Sequence, residues 1–82
     1  MIRVYTLPNC PNCERLKDWL RDRGKEFETR VFDVLTHTNF VMRNVFGSPP
    51  ILENGGGEVL VAEEIFKDDR FDTTLVEGFL DD

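Results

Sequence analysis

The sequence predicts an α/β domain built on a four-stranded mixed sheet, in the order βαβ-α-ββ-α, flanked by three helices. Three observations lead there. A short run of β-formers, Ile2-Arg3-Val4-Tyr5-Thr6, passes through Leu7-Pro8-Asn9 into a helix-period run from Glu14 to Arg23. A second β-rich run begins at Phe27, so the first three elements read as a βαβ unit, which should be parallel and right-handed. Near the other end, Asn54-Gly55-Gly56-Gly57 separates two apolar runs and predicts an antiparallel hairpin. One parallel unit and one hairpin in 82 residues make a mixed sheet in a single domain, residues 1–82. No internal repeat, linker or low-complexity tract interrupts it.

The first strand, Ile2 to Thr6, is short and apolar enough to be buried. The helix after it opens on Cys10-Pro11-Asn12-Cys13. Pro11 suits the first helical position, where its missing N–H costs nothing. That makes Cys10 the N-cap and sets Cys13 one turn inside. Cys13, Leu16, Trp19 and Leu20 share one helical face, and Gly24 ends the run. The second strand spans Phe27 to Val34. Thr36 or Thr38 caps a second helix with apolar positions Phe40, Val41, Val45 and Phe46, and Gly47 is its stop. Ser48-Pro49-Pro50 breaks helix before the third strand, Ile51-Leu52-Glu53. Glu58 to Ala62 completes the hairpin. Ile65 to Arg70 reads as one irregular turn. Asp72 or Thr73 caps a last helix carrying Leu75, Val76, Phe79 and Leu80.

Charge narrows the partners. Net charge is −6, which disfavours nucleic acid and anionic membranes, because both need a basic face. No stretch approaches the length of a membrane span. No apolar region of signal-peptide type follows Met1-Ile2-Arg3-Val4, so a reducing cytoplasm is the expected location. A monomer is expected, since nothing in the chain asks for a second copy.

The two cysteines, Cys10 and Cys13, are the only ones. A bridge between them would close a tiny loop and constrain little of the unfolded chain, so chemistry explains them better than stability. A Cys-x-x-Cys pair at a strand-to-helix junction is a redox pattern. Free N–H groups and the helix dipole favour a thiolate there, and cysteines in such pairs have pKa values of about 3.5–7.5 rather than about 8.5. Cys10, at the exposed end, is the expected attacking thiolate. Cys13 would resolve the mixed disulfide. A metal or iron–sulfur module using the same cysteines is the alternative. It needs ligands from a second chain or an external thiol, since a closed zinc site takes four and the chain adds only His37. A redox-inactive interaction domain is a third reading. No cofactor is called for, and His37 reads as solvated. Trp19, Phe40 and Phe46 read as core, and Glu63, Glu64, Asp68, Asp69, Asp81 and Asp82 as solvated faces and a polar tail.

Val4-Tyr5-Thr6 leading into Cys10-Pro11-Asn12-Cys13, the Ser48-Pro49-Pro50-Ile51-Leu52 segment and the terminal hairpin and helix together resemble the glutaredoxin-like group of the thioredoxin superfamily. The resemblance covers nearly the whole chain. It implies the thioredoxin/glutaredoxin fold and a thiol–disulfide oxidoreductase that reduces protein or small-molecule disulfides as an electron carrier. It also implies a cis-proline beside the cysteines, whose preceding residue offers backbone groups to the substrate. Pro49 fits that place, because Ser48 before it keeps an N–H that a second proline would lack. Pro11, Ser48 and Pro49 are therefore the expected substrate-binding residues. Two positions depart from the family. Leu7 stands where glutaredoxins carry a glutathione-binding Lys. Glu63-Glu64-Ile65-Phe66 follows the hairpin where they carry a Gly-Gly-x-Asp-Asp-like element. Both departures move the expected reductant from glutathione toward a thioredoxin-reductase-like donor.

Overall fold

The computed structural model describes residues 1–81. Strand β1 (Ile2–Thr6) lies inside a four-stranded sheet of order β2-β1-β3-β4, with β2 at Phe27–Val31, β3 at Ile51–Glu53 and β4 at Val59–Leu60. β1 runs parallel to β2, with Ile2 opposite Phe27 and Thr6 opposite Val31. It runs antiparallel to β3, with Tyr5 opposite Ile51. The β3–β4 hairpin is antiparallel. The mixed sheet is thus the one the sequence predicts.

Side chains alternate across β1 and divide the interior in two. On one face, Val4 and Leu52 pack with Leu16 and Leu20 of helix α1 (Pro11–Asp22) and Val76 of helix α4 (Thr73–Asp81). All five are fully buried. Each such side chain contributes about 1.5–3 kcal/mol relative to exposure. On the other face, Tyr5 and Ile51 pack with Phe40 of helix α2 (Val34–Met42) and with Val61. The Tyr5 and Phe40 rings meet edge to face at 4.9 Å.

Helix ends follow capping chemistry. α1 closes in a Schellman motif: Lys25 N–H donates to Leu20 O at 2.9 Å and Gly24 N–H to Arg21 O at 3.0 Å, with Gly24 at φ 68°. α2 ends the same way at Asn44, φ 59°, with Val45 N–H on Phe40 O at 2.8 Å. Gly47 is therefore not the stop. It is glycine because a Cβ there would lie 2.5 Å from Val61 Cβ. Nor does Thr36 or Thr38 cap α2. Asp33 does, accepting Thr36 N–H at 2.8 Å, and that bond holds its carboxyl below the usual carboxylate range. Asp72 caps α4 by accepting Leu75 N–H at 3.0 Å.

Other expectations give way. The second strand stops at Val31, because Asp33 opens α2. The fourth is only Val59–Leu60, because the chain turns at Val61 into a single helical turn, α3 (Ala62–Ile65). The stretch read as one irregular turn is a small antiparallel hairpin, β5 (Phe66–Lys67) and β6 (Arg70–Phe71). Asp68 and Asp69 both take positive φ, 52° and 61°, the geometry of a type I′ turn. Phe46 is 69% exposed rather than core, because the Asn44 stop ends the helical periodicity before it.

The face shared with α2 also holds a buried carboxylate. Glu53 is 8% exposed and accepts from Arg3 at 3.3 Å, Tyr5 Oη at 3.1 Å and Arg43 at 3.4 Å. Burial, and then proximity to that anion, keep the Tyr5 phenol protonated above its usual range. Replacing Glu53 with Ala strands three donors. We expect a loss of about 1–3 kcal/mol in urea unfolding, with Glu53→Gln losing less. An unchanged midpoint in Glu53→Ala would show that the network is not stabilising.

Candidate functional site

The parallel pairing of β1 with β2 sends both C-termini to one end of the sheet, and β3 starts at that same end. Two chain segments therefore meet there: the loop Leu7 to Cys10 and the loop Ser48 to Pro50. Asn9 takes φ 57°, a left-handed conformation that Asn tolerates, and turns the chain into α1.

Cys10 is the N-cap of α1, with extended backbone at φ −112° and ψ 98°. Pro11 occupies the first helical position, as the sequence implies. The Cys13 N–H donates to Cys10 Sγ at 3.2 Å, and the Glu14 N–H to Cys10 O at 3.2 Å. The sulfur takes the place of the oxygen that usually caps a helix. Cys10 and Cys13 form a disulfide with Cα atoms 5.2 Å apart. Cys10 is half-buried, whereas Cys13 is fully buried beneath it. A shallow cleft lined by Asn9, Cys10, Pro11 and Glu14 opens over the outer sulfur.

The proline segment differs from expectation. The cis bond is Pro49–Pro50, so Pro50, not Pro49, is the cis-proline. Both bonds precede a proline and have a weak trans preference, so the local sequence does not choose between them. Packing chooses: the Pro50 ring is fully buried, while Pro49 is only half-buried. Pro49 is then the residue ahead of the cis bond, and it has a carbonyl but no N–H. The Ser48 N–H is engaged inside the chain, donating to Glu63 Oε1 at 2.9 Å. The Ser48 carbonyl accepts Ala62 N–H at 3.1 Å. Of the residues expected at the site, Cys10, Cys13 and Pro11 sit together on the cleft and its floor. Ser48 and Pro49 stand at the same end of the sheet, but the Ser48 donor is spent on Glu63.

Sequence reasoning missed Glu14 and Glu63. Glu14 follows Cys13 directly, so helical geometry alone places it beside the N-terminus. Glu63 read as part of a solvated face, and nothing local ties it to Ser48, fifteen residues earlier.

A second cleft of about 410 Å3 lies between β2 and α2, lined by Tyr5, Arg30, Asp33 and Arg43 among others. Its arginines are already paired, Arg30 with Glu28 and Arg43 with Glu53. Among the described residues no group of three or more His, Cys, Asp or Glu side chains is placed to hold a metal. His37 is exposed on α2 beside Phe32. Among the described residues no helix is long and apolar enough to cross a membrane.

A disulfide whose outer sulfur caps the first helix of a mixed sheet, with a cis-proline at the same end of that sheet, defines a protein of thioredoxin-like fold. Solved structures agree. The thioredoxin-like protein BC3987 superposes with a TM-score of 0.69 at 23% identity, covering 98% of this chain and 100% of that one. A mutant of that protein gives 0.68 at 21% identity, covering 95% and 96%. A family model described as glutaredoxin matches residues 2–49, more than half of the sequence. The chain belongs to the glutaredoxin family. A search of curated protein sequences finds no match.

The Ser48–Glu63 bond has a pH signature. The Ser48 N–H holds the Glu63 carboxyl below its usual 4.5. A lowered folded-state pKa means the bond's contribution is complete above about pH 4.5 and is lost as pH falls through the lower folded value. We expect the Ser48 amide resonance to titrate with a midpoint below 4.5, and to stop titrating in Glu63→Gln. A pH-independent Ser48 amide in the parent protein would contradict the bond.

Proposed function

We propose that this chain is a dithiol–disulfide oxidoreductase that reduces disulfides of protein substrates through Cys10 and Cys13. One observation carries the reading: Cys10 Sγ caps α1, half-exposed, directly above the buried Cys13 to which it is bonded. In the reduced protein, the Cys10 thiolate is favoured by the Cys13 N–H and the dipole of α1. It attacks one sulfur of a substrate disulfide. The substrate S–S bond breaks, and the departing sulfur takes the electron pair and then a proton. Cys13 gives up its proton to solvent and attacks Cys10 Sγ. The second substrate thiol leaves, and the Cys10–Cys13 disulfide remains. The substrate has gained two electrons and the protein has lost two.

An external thiol reductant must return those electrons. Two observations support a thioredoxin-reductase-like protein over glutathione. Leu7 offers no charge for a glutathione carboxylate, and α3 with the β5–β6 hairpin occupies the stretch where the family's Gly-Gly-x-Asp-Asp-like element is expected. A chemistry that needs continual re-reduction suits the cytoplasm. A coupled NADPH assay separates the donors. We expect turnover with thioredoxin reductase to exceed turnover with glutathione plus glutathione reductase.

The cysteines themselves are tested by substitution. Cys10→Ser should reduce a model disulfide no faster than a protein-free control. Cys13→Ser should accumulate the mixed disulfide on Cys10, seen as a mass adduct. Full activity in Cys10→Ser would end this reading.

A further inference from the structure

The charged groups around Cys10 are arranged unevenly. Among the described residues, Glu14 is the one charged residue lining the cleft over the sulfur. Its side chain is 62% exposed, and Lys17, 14% exposed and one turn further down α1, holds its Oε2 at 2.6 Å. Lys17 does not line the cleft, so of this ion pair only Glu14 is on the cleft wall. Arg15 is turned elsewhere. It donates to Asn12 Oδ1 at 3.2 Å, and its guanidinium sits 5.2 Å from the Phe66 ring centroid and 5.8 Å from that of Phe71. At the same end of the sheet, the Glu63 carboxylate lies against Ser48. A substrate disulfide reaching Cys10 therefore meets the Glu14 carboxylate and, among the described residues, no cation on the cleft wall.

We propose that Glu14 selects substrates by charge, so that Cys10 prefers disulfides with positive charge beside the S–S bond over anionic ones. In a protein substrate these are cystines flanked by Lys or Arg. Glutathione disulfide, which carries net negative charge, is disfavoured by the same carboxylate. The inference rests on the dithiol reading above and adds the substrate class. The attacking thiolate is itself negative, so a second negative charge beside it repels an anionic partner as the sulfurs close. A cationic partner is drawn in, as in other charge-lined clefts.

The test uses three symmetric disulfides of similar size: cystamine, bis(2-hydroxyethyl) disulfide and 3,3′-dithiodipropionate. They are cationic, neutral and anionic. Pre-reduced protein reacts with each in single turnover at low salt. Each rate is divided by that of the same disulfide with free dithiothreitol, which removes leaving-group differences. We expect the normalised cationic-to-anionic ratio to be about tenfold or more, and to fall as salt screens the charges. Glu14→Gln should lower the ratio several-fold. Glu26→Gln makes the same change in net charge next to the start of β2, at the opposite end of the sheet, and should leave the ratio within twofold of the parent. An unchanged ratio in Glu14→Gln, or an equal fall in Glu26→Gln, overturns the assignment while leaving the dithiol chemistry standing. Failure to reduce any of the three overturns the dithiol reading and this inference with it.

Discussion

Everything at the thiol end depends on how α1 is seated. Leu16 and Leu20 bury completely against Val4 and Leu52, and this fixes the helix axis over the sheet. Cys13 is on the same buried face, so its sulfur is fixed with them. Pro11 then sets where the helix begins, and Cys10 is left as its cap. The capping bond from Cys13 N–H to Cys10 Sγ follows from core packing several residues away. Reactivity and stability meet in this one helix, and loosening Leu16 would disturb the sulfur as surely as changing its neighbours.

The sequence carried the frame well because the frame rests on local signals. The β-former run into Cys10-Pro11, the periodicity of α1 and the glycine turn after Glu53 each define an element without help from distant residues. The four-stranded mixed sheet and the capping role of Cys10 were legible for that reason. What escaped was decided either by side chains other than the usual markers or by contacts across the fold. Asn44 ends α2 where a glycine was expected, because Asn tolerates the left-handed geometry and Val45 then packs toward Phe40. Asp68 and Asp69 make a tight turn that reads as a solvated acidic pair. The choice between Pro49 and Pro50 is a packing decision, and the Ser48–Glu63 bond joins segments that no local pattern links.

The two proline-containing segments have different characters. Pro11 acts through the helix it opens, and its role could be read from spacing. Pro50 is buried ahead of β3, whereas Ser48 has both backbone groups engaged and Pro49 has a carbonyl but no N–H. That segment thus offers an extended chain one donor fewer than the family pattern implies. The cleft where Glu14 stands is the other feature at this end of the sheet.

The rims of the sheet have a further consequence. β2 is one rim, and its Glu28 and Arg30 are charged and linked to each other and to Arg3. β4 is the other, only two residues long before the chain turns into α3. Short or charged outer strands are poor templates for strand addition. Both flanks of the sheet are thereby shielded from pairing with another extended chain.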